Sequence, residues 1–205
     1  MSMIKPAIEI SNHVGFEVVV HSWLKDEWYL RNPKMINPLI SNPNFTNKEE
    51  NKKRLIQLRE FRRPMIDTLP ADTIWYKVKI YKKDIERIFH CASKDWGAIS
   101  NNAFNVQSTI SNIFPESMID FQRSHKIKEI YETLIESPKM DGLILIGISI
   151  KSALTIIEGN HRFTAIYYKL KDKEPNQIIS ENAYLGISAL MDNYDLHIGK
   201  YFPQL

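Results

Sequence analysis

Residues 154–170 read LTIIEGNHRFTAIYYKL, and this stretch carries the strongest structural signal in the chain. Its apolar start, 154–157, is typical of a short strand, Gly159 favours a tight turn, and the residues that follow favour a helix. The turn gathers four polar side chains at the start of that helix: Glu158, Asn160, His161 and Arg162. A helix N-terminus has unpaired backbone N–H groups and a partial positive charge, so it suits phosphate. Arg162 adds a planar guanidinium that can bind phosphate oxygens in two places.

The segment E-G-N-H-R-F-T-A at 158–165 resembles a turn of the ParB/sulfiredoxin superfamily. The turn in that superfamily follows the pattern [DEG]-G-x-[HR]-R-x-x-A, in which x is any residue. The superfamily includes partition-protein N-terminal domains, sulfiredoxins and free-serine kinases. The order of flanking elements is also similar: a helix at 124–136, a strand at 142–150 and a closing strand at 183–189. The resemblance covers about residues 74–190 and implies an α+β fold with a ParB/sulfiredoxin-like mixed-sheet core.

This resemblance gives an expected domain organisation. Residues 1–70 form an N-terminal, partly helical extension, 71–195 the ParB/sulfiredoxin-like domain, and 196–205 a C-terminal tail. The domain contains an insertion at about 93–123 that is longer than the corresponding connection in the family. Such an insertion either carries substrate specificity or a lid, or is a packed structural decoration.

Asn160 separates the branches of the superfamily. Sulfiredoxins resemble G-G-C-H-R, with a cysteine nucleophile where this chain has Asn160, and an amide cannot take that role. Partition proteins resemble G-E-R-R, bind CTP, and carry a downstream DNA-binding domain; this chain ends about 35 residues after the motif helix. Free-serine kinases resemble D-G-H-H-R, which is closest to E-G-N-H-R. The resemblance therefore implies a nucleotide, ATP/ADP or CTP, bound with Mg²⁺.

Each residue of the motif has an expected role. Gly159 permits the turn, and Asn160 belongs to the nucleotide-binding loop. Arg162 is expected to contact phosphate, although a salt-bridged surface arginine has the same sequence appearance. His161 is expected to donate a hydrogen bond to phosphate or to stabilise transferring charge, or is a polar neighbour of the helix start. Thr164, in the first helical turn, adds a hydroxyl.

Glu158 is a carboxylate beside an expected phosphate site, which is electrostatically unfavourable. A catalytic role resolves this tension if the carboxylate acts as a base or binds the Mg²⁺ that bridges to a nucleotide. The alternative is an acid that complements the helix dipole. The sequence leaves both interpretations open.

The helix before the motif supports a nucleotide by resemblance. Sulfiredoxins have a lysine near the start of this helix and a threonine two turns later, both close to the nucleotide. Lys126 and Thr133 fall at the matching spacing, and residues seven apart share a helix face. An ordinary exposed lysine is the alternative for Lys126.

Local patterns predict the remaining elements. The β-branched and aromatic run at 16–23, FEVVVHSW, favours a strand. Residues 74–81 alternate around charged side chains and predict a half-exposed strand. Asp84 is expected to cap a helix that continues to about His90.

A basic helix is expected at Lys48–Arg63. Thr46 and Glu49 have the spacing of a capping box, and Pro64 is expected to end the helix. The run has seven basic and three acidic residues. It either meets a nucleic acid or protein partner or is a solvated helix face.

Composition restricts the class of protein. The formal net charge is +3, too small to argue for nucleic acid binding by itself. The lone cysteine, Cys91, excludes an internal disulfide framework and is expected to be buried as a small hydrophobe. No apolar run approaches the roughly 20 residues of a membrane span, so we expect a cytoplasmic protein without membrane contact.

Two classes of function remain open. The first is a phosphotransferase or NTPase that acts on a nucleotide at the motif turn and, as a small-molecule kinase, passes phosphate to an unidentified acceptor. The second is a non-catalytic module, gated by nucleotide or associated with DNA. A ParB-like nuclease is a third option, although the sequence shows no clear cluster of acids for metal-dependent cleavage.

Overall fold

The computed structural model describes residues 8–114, 122–135 and 138–201. Within these residues, one mixed sheet of six strands lies between two helical layers, which confirms the α+β class. The strands are β1 (Glu9–Val14), β2 (Ile74–Tyr81), β3 (Ile88–His90), β4 (Asp141–Gly147), β5 (Leu154–Glu158) and β6 (Ile178–Ile187). The α-helices are α1 (Phe16–Arg31), α2 (Pro38–Ser41), α3 (Lys48–Asp67), α4 (Lys94–Ile99), α5 (Val106–Ile113), α6 (Gln122–Thr133) and α7 (Asn160–Lys169). Short 3₁₀ turns lie at Lys82–Arg87, Met191–Asn193 and Ile198–Lys200.

The sheet has the strand order β1-β2-β6-β4-β5-β3. The β6–β4 and β5–β3 pairs are parallel, and the other neighbouring pairs are antiparallel. β4 and β5 are therefore interior strands, and the motif helix α7 begins directly after β5. The expected strands at 74–81, 142–150 and 183–189 correspond to β2, β4 and β6, with shifted ends for the last two.

Alternate residues of the interior strands face opposite helical layers, as the two-residue period of a strand requires. Ile144 and Ile146 of β4 pack beneath α1 and α3, together with Trp75 of β2. Leu143 and Leu145 of the same strand pack on the other face, beneath α5 and α7. The two layers meet at the C-terminal end of β5, where the motif turn lies.

The expected insertion is helical where the structure describes it. Residues 93–114 include α4 and α5, and 115–121 lie outside the described residues. Trp96 of α4 and Ile113 of α5 are buried against Ile127 of α6. Cys91 is buried in the same cluster, as expected. This part of the chain thus packs around the motif helix.

The prediction of a strand at 16–23 is wrong, because these residues begin α1. The buried members of α1 are spaced one and four residues apart, which is the period of a helix: Val19, Val20, Trp23, Leu24 and Glu27. Packing on the sheet therefore overrides the β preference of three consecutive valines.

The ends of α3 also differ from expectation. Its N-cap is Asn47, whose side chain accepts from the backbone N–H groups of Glu49 and Glu50, so the predicted Thr46–Glu49 box is one residue early. The helix continues through Pro64 to Asp67, with non-helical angles at Arg62 (φ −135°, ψ 25°). Since proline lacks an N–H and clashes with the preceding turn, it produces a kink here rather than an end.

The predicted helix from Asp84 to His90 is wrong. Lys82–Arg87 forms a 3₁₀ turn in which the Asp84 carboxylate accepts from the backbone N–H of Tyr81 at 2.8 Å. Residues 88–90 form β3, which pairs in parallel with β5. In the described ranges, none of the helices has both the length and the apolar character needed to cross a membrane.

Candidate functional site

The motif folds as the sequence predicts: a strand, a glycine turn and a helix. Gly159 is the N-cap of α7 and has left-handed backbone angles (φ 96°, ψ 10°). A Cβ at this position would lie 3.0 Å from the terminal methyl of Met140. Both the backbone angle and the close neighbour therefore require glycine. No side chain caps the first backbone N–H groups of α7 at this N-cap.

Arg162, the expected phosphate ligand, reaches from α7 toward the layer of α1. Its guanidinium forms an ion pair with Asp26 of α1 and donates to the backbone carbonyl of Asp141 at 3.3 Å. The Arg162 side chain is 34% exposed. A guanidinium has five N–H donors, and these two contacts leave it able to bind a further anion.

Glu158 lies between two arginines. Its Oε1 accepts from the backbone N–H of Gly159 at 2.9 Å and lies 3.8 Å from the Arg162 guanidinium. Its Oε2 lies 3.8 Å from a guanidinium nitrogen of Arg62, which comes from the kink of α3. The Glu158 side chain is only 16% exposed.

Burial is the main influence on the acidity of Glu158. It raises the pKa of this carboxyl above the ordinary glutamate value. The two arginines oppose the rise, whereas the neighbouring acids of α1 add to it. Burial likewise raises the pKa of Asp26, and Arg162 opposes that change. The local environment thus disfavours ionised carboxylates more than the arginines favour them.

These contacts belong to one arginine–carboxylate network, which we define by six residues: Asp26, Glu27, Arg31, Arg62, Glu158 and Arg162. Glu27 is 2% exposed and pairs with both Arg31 and Arg62. The network joins α1, α3 and α7 across the end of β5. It has three positive and three negative groups, so its arginines are balanced by acids of the chain itself.

Asn160 and Thr164, both expected at the nucleotide, instead face the interior. Asn160 Oδ1 lies 2.9 Å from Nδ1 of the fully buried His90, and Asn160 Nδ2 donates to the backbone carbonyl of Ile156 at 3.1 Å. The Thr164 hydroxyl donates to the backbone carbonyl of Asn160 at 2.8 Å. These side chains fix the start of α7 from beneath.

An aromatic contact extends this buried group toward His161. The indole of Trp96 stacks on the His90 imidazole, with ring centroids 4.0 Å apart. Its centroid lies 5.1 Å from that of His161, at a tilted angle. The partly exposed His161 therefore lies beside the buried indole of Trp96, which belongs to α4.

The two expected nucleotide ligands that precede the motif, Lys126 and Thr133, both lie on α6. Lys126 is partly buried, and α6 packs against α7. Thr133 is the last residue of α6; its side chain is exposed and its hydroxyl donates to the backbone carbonyl of Ile130 at 2.8 Å. The helix itself is confirmed as the element before β4, with Ser124 and Thr133 inside it, and Glu136 lies outside the described residues.

A magnesium ion, which the resemblance implies, does not fit the acids of this turn. The three carboxylates of the network, Asp26, Glu27 and Glu158, all face guanidinium groups. Magnesium is usually held by one or two carboxylates together with phosphate and water, and neighbouring arginines repel it. Across the described residues, no group of three or more His, Cys, Asp or Glu side chains is arranged to hold a metal ion.

The basic helix is largely engaged by the protein itself. Arg54 is fully buried, Arg62 belongs to the network, and Arg59 and Arg63 pair with Asp67. Three lysines in the first two turns of α3 are exposed: Lys48, Lys52 and Lys53. This leaves a small basic surface for any partner.

The sequence did not identify several contributors to the site: Asp26, Glu27, Arg31, His90 and Trp96. The two acids lie on a helix that was interpreted in part as a strand, and His90 lies on a three-residue strand. Arg62 was noticed only as part of a basic run. The helical spacing of Val19, Val20 and Trp23 was the available signal for α1.

No family model, no curated protein and no solved structure matches this chain. The likeness to the ParB/sulfiredoxin superfamily therefore rests on the E-G-N-H-R turn and on the order of its flanking elements.

Proposed function

We propose that this protein binds a nucleotide at the turn between β5 and α7 and transfers or hydrolyses its terminal phosphate, in the manner of a small-molecule kinase. One observation carries the proposal. Two arginines and a backbone N–H converge at the start of α7 and already hold an anion, the Glu158 carboxylate. Donors arranged in this way suit phosphate oxygens.

The proposed roles follow from position. Arg162 and the first N–H groups of α7 hold phosphate, and Gly159 supplies the left-handed backbone angle that the turn needs. His161, placed against Trp96, donates a hydrogen bond to the phosphate and stabilises charge that develops during transfer. Asn160 and Thr164 act indirectly, because they hold the helix start in shape.

A non-catalytic, nucleotide-gated module is the second candidate. The ion pair between Arg162 and Asp26 favours it, because a phosphate that draws on Arg162 also perturbs α1. A switch of this kind binds nucleotide with little turnover, whereas a kinase consumes nucleotide only when its acceptor is present. Turnover measured with and without pools of small hydroxyl-bearing metabolites separates the two.

Calorimetric titration with ATP, ADP, CTP and GTP in the presence of Mg²⁺ tests the proposed site. We expect one or more of these nucleotides to bind the wild-type chain and to bind Arg162→Ala at least about tenfold more weakly, the effect of losing a charge-assisted hydrogen bond. Arg63→Ala is the matched control, since Arg63 is 76% exposed on α3 and also pairs with an aspartate.

The control variant should bind as the wild type does. Circular dichroism and thermal unfolding must show that Arg162→Ala is folded, because the change leaves Asp26 without its arginine. Failure of all four nucleotides to bind the wild-type chain and every variant would contradict the proposal.

A further inference from the structure

We propose that Arg62 is the second arginine of the phosphate site and that Glu158 is its internal competitor, an anion of the chain that phosphate must displace. This inference rests on the proposed function and deepens it. It names a ligand from the N-terminal half of the chain, 96 positions before Glu158 in the sequence and outside the motif. It also gives Glu158 a role other than catalytic base or metal ligand.

The arrangement around Glu158 is that of a bound anion. The two arginines approach different oxygens of one carboxylate, each at 3.8 Å, and the Gly159 N–H donates to it at 2.9 Å. They come from opposite helical layers, so the carboxylate is held between them. Phosphate presents oxygens in a similar spacing and binds guanidinium groups in two places at once.

The carboxylate is held loosely enough to be displaced. A separation of 3.8 Å is longer than a direct hydrogen bond, and each arginine has a closer partner on α1: Arg162 pairs with Asp26, and Arg62 with Glu27. Burial disfavours the ionised form of Glu158 and raises its pKa. A phosphate group carries more charge and more acceptor oxygens, so it gains more from the same donors.

The kink in α3 explains how Arg62 reaches the turn. The non-helical backbone at this residue interrupts α3 two positions before Pro64. The side chain remains 34% exposed, the same fraction as that of Arg162. Both arginine side chains are therefore partly exposed to solvent while their guanidinium groups face the same carboxylate.

Inorganic tripolyphosphate is the probe, titrated by calorimetry first with EDTA and then with Mg²⁺. We expect Glu158→Gln to bind at least about tenfold more tightly than wild type, because the competing charge is removed while the side-chain shape is kept. We expect Arg62→Ala to bind at least about tenfold more weakly. Arg59→Ala, another arginine of α3 that pairs with Asp67, is the matched control and should be unchanged.

The two test variants have opposite expected signs, so a loss of folding cannot imitate the result. Arg62→Ala leaves the buried Glu27 with Arg31 alone, which lowers stability. If Arg62→Ala does not fold, Arg62→Lys replaces it in the titrations, because lysine keeps the charge but lacks the planar fork of donors. Glu158→Gln keeps the size of the side chain and an oxygen that can accept from the Gly159 N–H. Thermal unfolding of each variant accompanies the titrations.

The possible outcomes distinguish a failure of this inference from a failure of the proposed nucleotide-binding function. Binding that is lost in Arg162→Ala but unchanged in Glu158→Gln and Arg62→Ala overturns the inference and leaves the proposed function standing. Weaker binding by Glu158→Gln only with Mg²⁺ also overturns it, because Glu158 is then a metal ligand. Binding by Glu158→Gln but not by wild type supports it. No binding by wild type or any variant overturns the proposed function itself.

Discussion

At the scale of single residues, the candidate site depends on a glycine that permits the turn and on buried polar groups that hold it. Asn160 donates to the Ile156 carbonyl through its amide nitrogen, so its oxygen must accept from His90 Nδ1. That contact places a proton on Nδ1 of His90. A motif residue that looked like a ligand thus serves the shape of the helix start.

Gly159→Ala should lower the free energy of unfolding by about 1–3 kcal/mol, because a left-handed φ is unfavourable for alanine and a Cβ would press on Met140. Urea unfolding measures the change. Gly15→Ala is the matched control: Gly15 is the N-cap of α1 and has an ordinary φ of −75°, and the atoms nearest to its Cβ would be those of the movable Glu17 carboxylate. Equal losses in the two variants would refute the argument from φ.

At the scale of elements, one buried arginine of α3 binds α2 and the connection between α2 and α3. Arg54 is fully buried and donates to the backbone carbonyls of Leu39 at 3.1 Å and Asn44 at 3.0 Å. It also bonds to the Asn51 side chain. An arginine that appeared to belong to a solvated basic face is therefore an internal support of the fold.

Arg54→Met should lower the free energy of unfolding by about 2–4 kcal/mol, because it keeps apolar volume but removes the charged donor that binds the Leu39 and Asn44 carbonyls. Urea unfolding gives the loss, and hydrogen exchange should show faster exchange at the backbone amides of 40–42. Lys53→Met, on the adjacent exposed position, is the control and should change stability by less than about 0.5 kcal/mol. A loss in Arg54→Met no larger than that of the control would show that these hydrogen bonds contribute little.

The sequence predicted well the elements whose patterns are local. The β5–turn–α7 unit follows from an apolar run and a glycine, and β2 from alternation, whereas α6 was expected from the resemblance to the family. α1 was missed because its valines favour a strand in isolation, and β3 because three residues carry no period. The partners of the motif residues could not be predicted from local patterns. The pairs of Arg162 with Asp26 and of Arg62 with Glu158 join residues that are far apart in the sequence.

At the scale of the whole molecule, the N-terminal segment and the motif-bearing part share one sheet. β1 pairs with β2, and α1 and α3 cover one face of the interior strands. The arginine–carboxylate network adds an electrostatic connection between the same two parts. The site therefore takes residues from both sides of the boundary expected near residue 70.

This shared sheet predicts that residues 71–205 will not fold alone. Without the N-terminal segment, four side chains that are at most 3% exposed would meet water: Trp75, Ile144, Ile146 and Ile157. Exposure costs about 1.5–3 kcal/mol for each such side chain, and the sum of about 6–12 kcal/mol is comparable to the roughly 5–15 kcal/mol typical of a whole protein. Arg162 and Glu158 would also lose Asp26 and Arg62.

We therefore expect the 71–205 fragment to show poor amide dispersion by NMR and no cooperative unfolding in urea, whereas the full chain unfolds in a single transition. Co-expression of 1–70 as a separate chain is the control, and it should restore a folded complex because the missing layer is supplied. A fragment 71–205 that unfolds cooperatively by itself would show that the sheet needs no second layer. The N-terminal segment would then serve the anion site through Asp26 and Arg62 without being required for folding.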